Sequence, residues 1–165
     1  MRSTRIPPEQ LSIALGAFAL ALVLGALGFE YLGGYPPCEI CMWQRWPHYA
    51  AALVGLGGGL FTWAGWAPGT ASRLFAEAAM LLIATSGLIG VYHAGIEWHF
   101  WAGPSACTGD AFRVTGALDL NARVVLCDVA AWRLFGISMA GYNAFFSLTA
   151  AGLAAILLMQ PKKRL

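Results

Sequence analysis

Four long apolar segments divide the chain, and shorter stretches containing polar residues, prolines and cysteines separate them. The segments run from about 11–32, 46–66, 74–98 and 135–159. Each reaches the roughly 20 apolar residues that a helix needs to cross a bilayer. None shows the strict alternation typical of strands. Because backbone N–H and C=O groups in hydrocarbon must pair within their own segment, we predict a single all-α domain, an integral membrane four-helix bundle.

Composition agrees with a membrane setting. Of 165 residues, 59% are hydrophobic and only 11% are charged, with a mean hydropathy of +0.65. A soluble domain carries roughly 25% charged residues. The net charge of +2 is too small to suggest a nucleic-acid partner, so membrane lipid is the expected environment.

Four spans place both termini on one side of the membrane, and the Lys/Arg distribution predicts which side. The N-terminus, the second connection and the tail hold six of these residues, against four in the first and third connections. The larger set comprises Arg2, Arg5, Arg73, Lys162, Lys163 and Arg164, and the smaller comprises Arg45, Arg113, Arg123 and Arg133. By the positive-inside rule, the termini are predicted to be cytoplasmic. The first segment is expected to be retained, because its apolar run is longer than that of a typical signal peptide.

The two connections on the opposite face, residues 33–45 and 99–134, each carry one pair of cysteines. Cys38 and Cys41 form a C-x-x-C, the spacing of dithiol redox centres. Cys107 and Cys127 are separated by nineteen residues in the longest connection of the chain. With cytoplasmic termini both pairs face outward, where disulfides persist. We therefore predict two functional outward loops.

The neighbourhood of Cys41 favours a reactive thiolate. A helix N-terminus stabilises an anion, and Arg45 places a cation four residues further on. Because of Pro47, the sequence does not decide at which residue the helix begins. If the helix begins there, Cys41 and Arg45 lie in the approach to it, and helical spacing does not fix their proximity.

The sequence offers one electron acceptor by elimination. No haem, flavin or iron–sulfur signature is visible, whereas a quinone dissolves in the same bilayer. Quinone carbonyls need a hydrogen-bond donor in an apolar setting. Arg45, at the membrane surface, is the candidate, because a charged residue at such depth is a functional candidate by default.

At this point the chain resembles the DsbB family of disulfide-bond-formation proteins. The resemblance covers nearly the whole chain, with four spans, the cysteine arrangement and basic ends. Its local signatures are Pro37-Cys38-Glu39-Ile40-Cys41 followed by Gln44-Arg45, then Cys107, and then Cys127 leading through Trp132 into Leu134-Phe135-Gly136-Ile137.

The resemblance implies a relay in the bacterial inner membrane. A periplasmic thioredoxin-like oxidase attacks the Cys107–Cys127 disulfide and forms a mixed disulfide with Cys107. Exchange with Cys38 passes the electrons to the C-x-x-C pair. Cys41 then faces a quinone, either ubiquinone or menaquinone, and Arg45 matches the quinone-site arginine of the family. Each step is thiolate attack on a disulfide sulfur.

The family also ties a histidine near the outer end of the third span to the quinone site. Here His93 and His99 both lie in that region, with Glu97 between them. The sequence leaves open which of the three approaches the quinone. Both histidines are therefore candidate quinone-site residues, alongside the alternative that they have no chemical role.

Three other interpretations compete. The cysteines could form two structural disulfides, although C-x-x-C is a redox spacing more than a staple. The cysteines, alone or with His93 or His99, could bind zinc, although zinc sites usually combine two closely spaced pairs and we predict no metal. A protein like vitamin K epoxide reductase would run the same chemistry, but its C-x-x-C belongs late in the chain. Separately, the Gly55/Gly59 spacing indicates close helix packing within the bundle. Ser138, Tyr142 and Asn143 in the fourth span are expected to form interhelical hydrogen bonds.

Overall fold

The computed structural model describes residues 6–105, 107–108 and 125–160. Five α-helices, one π-helical turn and one short hairpin make up this part of the chain. They are α1 (Pro8–Tyr31), α2 (Glu39–Ala52), the π turn (Leu53–Gly57), α3 (Gly58–Trp63), α4 (Gly69–Glu97), β1 (Arg133–Leu134), β2 (Ile137–Ser138) and α5 (Met139–Met159). The basic residues of the two ends, and Arg113 and Arg123, lie outside the described residues, so the cytoplasmic orientation stays a prediction.

Three of these helices, α1, α4 and α5, are long and apolar enough to cross a membrane. A fourth rod consists of α2, the π turn and α3, which follow one another without a break. The four rods pack on one another, which confirms the predicted helical membrane bundle. The first and third predicted spans match α1 and α4 to within five residues at each end.

The second rod begins earlier than the prediction of a span from residue 46. Its first helix starts at Glu39, because the Cys38 sulfur accepts a hydrogen bond from the Cys41 backbone N–H at 3.1 Å and so caps the helix. Pro47 lies inside α2 rather than at its start. Cys41 and Arg45 are therefore on one helix, one turn apart, and the first outward loop is shorter than predicted.

The last helix begins later than the prediction of a span from residue 135. Residues 133–138 form an antiparallel hairpin in which Leu134 pairs with Ile137. Phe135 and Gly136 connect its strands with φ of 50° and 81°, as a two-residue turn with left-handed residues requires. The Ser138 hydroxyl then accepts from the Gly141 N–H at 3.2 Å and caps α5.

Small residues bring the rods together at the end of the bundle opposite the cysteines. Ser12 of α1 donates its hydroxyl to the Gly55 carbonyl of the π turn at 3.0 Å. A Cβ on Gly55 would lie 2.7 Å from the Gly16 Cα, and one on Gly59 would meet Ile13. The predicted packing role of these glycines is confirmed, because both face α1.

Candidate active site

The first cysteine pair lies at the junction of loop and helix. Cys38 precedes α2 and is buried, whereas Cys41 in its first turn is partly exposed. Their sulfurs are 2.6 Å apart and are not joined in a disulfide. The hydrogen bond to Cys41, burial and the nearby Cys41 charge raise the pKa of the Cys38 thiol far above its usual range. Of the two thiols, Cys41 is therefore the one that ionises.

The second pair forms a disulfide between Cys107 and Cys127. Both residues are buried, and they pack in one apolar cluster with Cys38, Ile40 and Ile96. The two pairs thus lie on the same end of the bundle, as the sequence predicts. Their shared cluster brings a disulfide against a dithiol, which is the arrangement that thiol–disulfide exchange requires.

His93 of α4 joins the two pairs. Its Nε2 lies 3.6 Å from the Cys38 sulfur and 3.2 Å from the Cys127 carbonyl oxygen. Its Nδ1 lies 2.9 Å from the side-chain amide of Gln44. One buried imidazole therefore contacts both cysteine-bearing segments and α2.

A chain of buried polar side chains continues from Gln44 into the bundle. Asn143 of α5 donates to Gln44 Oε1 at 2.8 Å and to the Ser86 carbonyl at 3.2 Å. Its Oδ1 lies 2.9 Å from His48 Nε2 and accepts from the Ser147 hydroxyl at 2.9 Å. The sequence predicts interhelical hydrogen bonds for Ser138, Tyr142 and Asn143. The structure confirms this for Asn143, whereas Tyr142 donates to the Leu134 carbonyl of the hairpin at 3.1 Å and Ser138 caps α5. The partnership of Gln44, Ser86 and His48 was missed, since single polar residues in apolar segments do not reveal their partners.

Arg45 is anchored to α1 on the other side of the same helix. Its guanidinium forms an ion pair with Glu30 and donates to the Ala26 carbonyl at 3.3 Å. The side chain is largely buried, at 11% exposed. Glu30, the only charge in the first predicted span, thus holds the arginine at a fixed place.

A cavity of about 420 Å³ lies beside these groups, within the range of small-molecule sites. Its wall is mostly apolar and comes from α1, α2, the end of α4, α5 and the segment before the hairpin. Its lining residues with polar or thiol groups include Tyr35, Cys38, Cys41, Gln44, Arg45, His48, His93, Glu97, Tyr142 and Asn143. An apolar ring with two carbonyl oxygens suits this cavity. The apolar wall would contact the ring, and the Arg45 guanidinium and the cysteine thiols border the same cavity. The residues present fit a quinone.

The structure separates the three candidates at the end of α4. His93 and Glu97 are buried and border the cavity. His99 follows the end of α4, has a positive φ of 59° and is exposed, and it does not line the cavity. The helix ends at Glu97, so His99 does not continue the face of His93. The prediction of His99 as a quinone-site residue has no geometric support.

The same atoms also meet the spacing of a metal site. The Cys38 and Cys41 sulfurs and one His93 nitrogen lie within 4.8 Å of one another. Cys107 and Cys127 are joined to each other, so a site using all four cysteines is not formed. Zinc binding to the reduced first pair thus remains a specific competitor to test.

Comparison with known proteins decides the family. A family model described as disulfide bond formation protein DsbB matches residues 8–157. The chain belongs to the DsbB family. This membership makes it a membrane oxidoreductase associated with disulfide formation. Among curated proteins, an uncharacterized protein of Rickettsia prowazekii (strain Madrid E) is 21% identical over 160 residues, covering 92% of this chain and 88% of that protein. The search of solved structures found no match.

Proposed function

We propose that this DsbB-family protein oxidises a periplasmic thioredoxin-like dithiol oxidase and passes the electrons to a membrane quinone. The observation that supports this proposal most is that four features lie together at one end of the bundle. A disulfide packs on a dithiol, and the dithiol borders a cavity that also contains a buried arginine. The bacterial inner membrane, with the cysteine loops in the periplasm and the termini in the cytoplasm, is part of the proposal.

The relay begins with a thiolate of the reduced partner. It attacks Cys107, which forms a mixed disulfide, and Cys127 leaves as a thiolate. Cys127 then attacks the oxidised Cys38–Cys41 pair at Cys38, and Cys41 leaves as a thiolate. The second partner thiol releases the oxidised partner from Cys107, and Cys107 displaces Cys38 from Cys127. The loop disulfide is restored and the first pair is now a dithiol.

The dithiol is reoxidised at the cavity. Two electrons and two protons leave Cys38 and Cys41, a disulfide forms between them, and the quinone supplies the two-electron acceptor chemistry when bound. Arg45 would hold an acceptor oxygen by a charged hydrogen bond, and Glu30 keeps its guanidinium in place. The mostly apolar wall would favour an apolar ring beside the sulfurs. The net change is one partner disulfide and one quinol, for either ubiquinone or menaquinone.

Quinone reduction by the purified protein tests the proposal. The wild type, Cys41→Ser and Cys107→Ser are each given a reduced thioredoxin-like oxidase or dithiothreitol, and quinone absorbance is followed. We expect Cys41→Ser to lose turnover with both reductants. Cys107→Ser should lose turnover with the protein partner but keep it with dithiothreitol, which reduces the first pair directly.

Two outcomes would contradict the proposal. Wild-type protein that reduces no quinone with either reductant would leave structural disulfides or a metal site as the better reading. Stoichiometric zinc in the purified reduced protein, lost together in Cys38→Ser and Cys41→Ser, would favour the metal site. In the quinone-reduction assay, His99→Gln serves as the matched control, because His99 is exposed and lies outside the cavity.

A further inference from the structure

The hydrogen-bond network fixes which nitrogen of His93 carries the proton. The Ser86 carbonyl can only accept, so the atom of Asn143 that faces it at 3.2 Å is the amide nitrogen. The same nitrogen also donates to Gln44 Oε1 at 2.8 Å. The amide nitrogen of Gln44 must then face His93 Nδ1, which accepts at 2.9 Å.

With Nδ1 accepting, the hydrogen of neutral His93 is on Nε2. An independent contact agrees, because Nε2 lies 3.2 Å from the Cys127 carbonyl oxygen, which also can only accept. The same N–H lies 3.6 Å from the Cys38 sulfur. His93 is 3% exposed, so protein atoms enclose most of the ring.

We propose that His93 acts in the exchange between the cysteine pairs, where its Nε2–H holds the Cys127 backbone beside the Cys38 sulfur. Gln44 is a positioning residue that acts through His93. This inference rests on the proposed relay and deepens it, since it assigns a side chain to the step in which Cys127 attacks Cys38. In that step the Cys38–Cys41 bond breaks, the Cys38–Cys127 bond forms, and Cys41 leaves with the electron pair.

The assignment differs from a quinone role for His93. Both ring nitrogens already have protein partners, namely Gln44 on one side and the two cysteine segments on the other, and the Glu97 Oε1 lies 3.8 Å from the same Nε2. No further N–H of the neutral ring is available for an oxygen in the cavity. The hydrogen bonds of His93 are thus directed at the cysteines, even though the side chain borders the cavity.

The experiment uses a full-length variant with Cys41→Ser and Cys107→Ser, whose only cysteines are Cys38 and Cys127. The equilibrium between its dithiol and disulfide forms is measured in glutathione buffers, which gives the effective concentration of the two thiols without any quinone. His93→Gln and His93→Asn are then added separately. A glutamine amide reaches the place of Nε2 and keeps the donor to the loop, whereas an asparagine amide reaches only the place of Nδ1.

We expect His93→Gln to stay within about twofold of the parent and His93→Asn to lower the effective concentration about tenfold, or about 1.4 kcal/mol. His99→Asn is the matched control and should equal the parent. Equal values for His93→Asn and the parent, or equal losses in both His93 variants, would overturn the proposal. A His93→Asn protein that binds quinone more weakly, with an unchanged exchange equilibrium, would overturn it too.

Folding and the wider proposal are kept separate from this result. Helix content by circular dichroism and resistance to SDS show whether each variant is folded, and the Gln/Asn contrast cannot arise from a general loss of structure. If the four-cysteine wild type fails to reduce quinone, the proposed function fails. The glutathione measurement still decides the role of His93, because it contains no acceptor.

Discussion

The two ends of the bundle are packed differently. At the end with the cysteines, polar side chains from three rods meet beside a cavity of about 420 Å³. At the opposite end small residues pack beside larger apolar ones, and Ala51, Ala76 and Ala79 have no exposed surface. A smaller pocket of about 300 Å³ at that end lies along α3, whereas the cavity at the cysteine end lies between rods.

The difference follows from what each end must do in an apolar solvent. Lipid supplies no hydrophobic drive between helices, so close packing of small residues stabilises the association. The proposed site for an apolar acceptor needs room, and that room removes packing contacts. Buried hydrogen bonds and an ion pair hold Gln44, Arg45 and His93 beside the cavity.

Loss of Arg45 should produce the largest effect at the cavity end. Arg45→Met removes the only cationic donor that borders the cavity among the described residues. Hydrogen bonds to charged groups contribute about 1.5–3 kcal/mol, so we expect a rise of about 10- to 100-fold in the quinone concentration for half-maximal rate.

Quinone titrations with dithiothreitol as reductant measure this. Arg73→Met is the matched control, because Arg73 is exposed and, among the residues that the structure describes, forms its ion pair with Glu77 at 2.7 Å at the start of α4. Glu30→Gln should give a smaller loss, since the guanidinium remains but is no longer held by a charge. If Arg45→Met and Arg73→Met behave alike, Arg45 does not contact the acceptor.

Glycine contacts should set the stability of the opposite end. A Cβ on Gly16 would overlap the backbone of Leu56, whereas one on Gly57 meets nothing within 4 Å. We expect Gly16→Ala to lower the free energy of unfolding by about 1–3 kcal/mol, the usual cost of overpacking, and Gly57→Ala to change it little. Unfolding in SDS measures both. Equal stability of the two variants would show that the α1 crossing is not tight.

The sequence predicted the membrane bundle and the location of both cysteine pairs at one end of it, because both follow from local sequence pattern. Length and apolarity define the spans, and spacing distinguishes Cys38 and Cys41 from the later pair. The ends of the spans were less accurate. A sulfur that caps α2, and a Phe-Gly turn ahead of α5, are local features that hydrophobicity does not report.

Partners across the bundle could not be predicted from the sequence. Gln44 and Asn143 are 99 residues apart, and the packing of α2 and of α5 against α4 brings their side chains into contact. The choice between His93 and His99 depended on where α4 ends. Because α4 stops at Glu97, His93 stays on the buried face and His99 turns outward.

We expect Asn143 to stabilise the cavity end of the bundle through its hydrogen bond to the Gln44 side chain. Asn143→Ala leaves Gln44 Oε1 without this donor, and a buried unsatisfied group costs about 1–3 kcal/mol. Thr85→Ala is the control, since the exposed Thr85 hydroxyl donates to the Leu81 carbonyl of its own helix. SDS unfolding of Asn143→Ala, Gln44→Ala and the double variant measures their coupling. Strict additivity would argue against a connected network.

The smallest effect concerns the order in which the thiols of the reduced first pair ionise. Because its pKa is raised in the folded protein, Cys38 stays a neutral thiol above the ordinary cysteine pKa of about 8.5. The stability that this shift contributes is fully present below about pH 8.5 and is lost as pH rises through the pKa of Cys38 in the folded protein. Iodoacetamide at pH 7 should therefore label Cys41 before Cys38, with tandem mass spectrometry assigning the site.

Cys41→Ala tests the cause of this order. Since the Cys41 side chain is the first cause of the raised pKa of Cys38, its removal should move the onset of Cys38 labelling toward lower pH. Burial alone would still hold the onset above that of an exposed cysteine. If Cys38 is the first to react at pH 7, the direction of proton sharing is reversed. Cys38, and not Cys41, would then be the thiolate of the reduced pair.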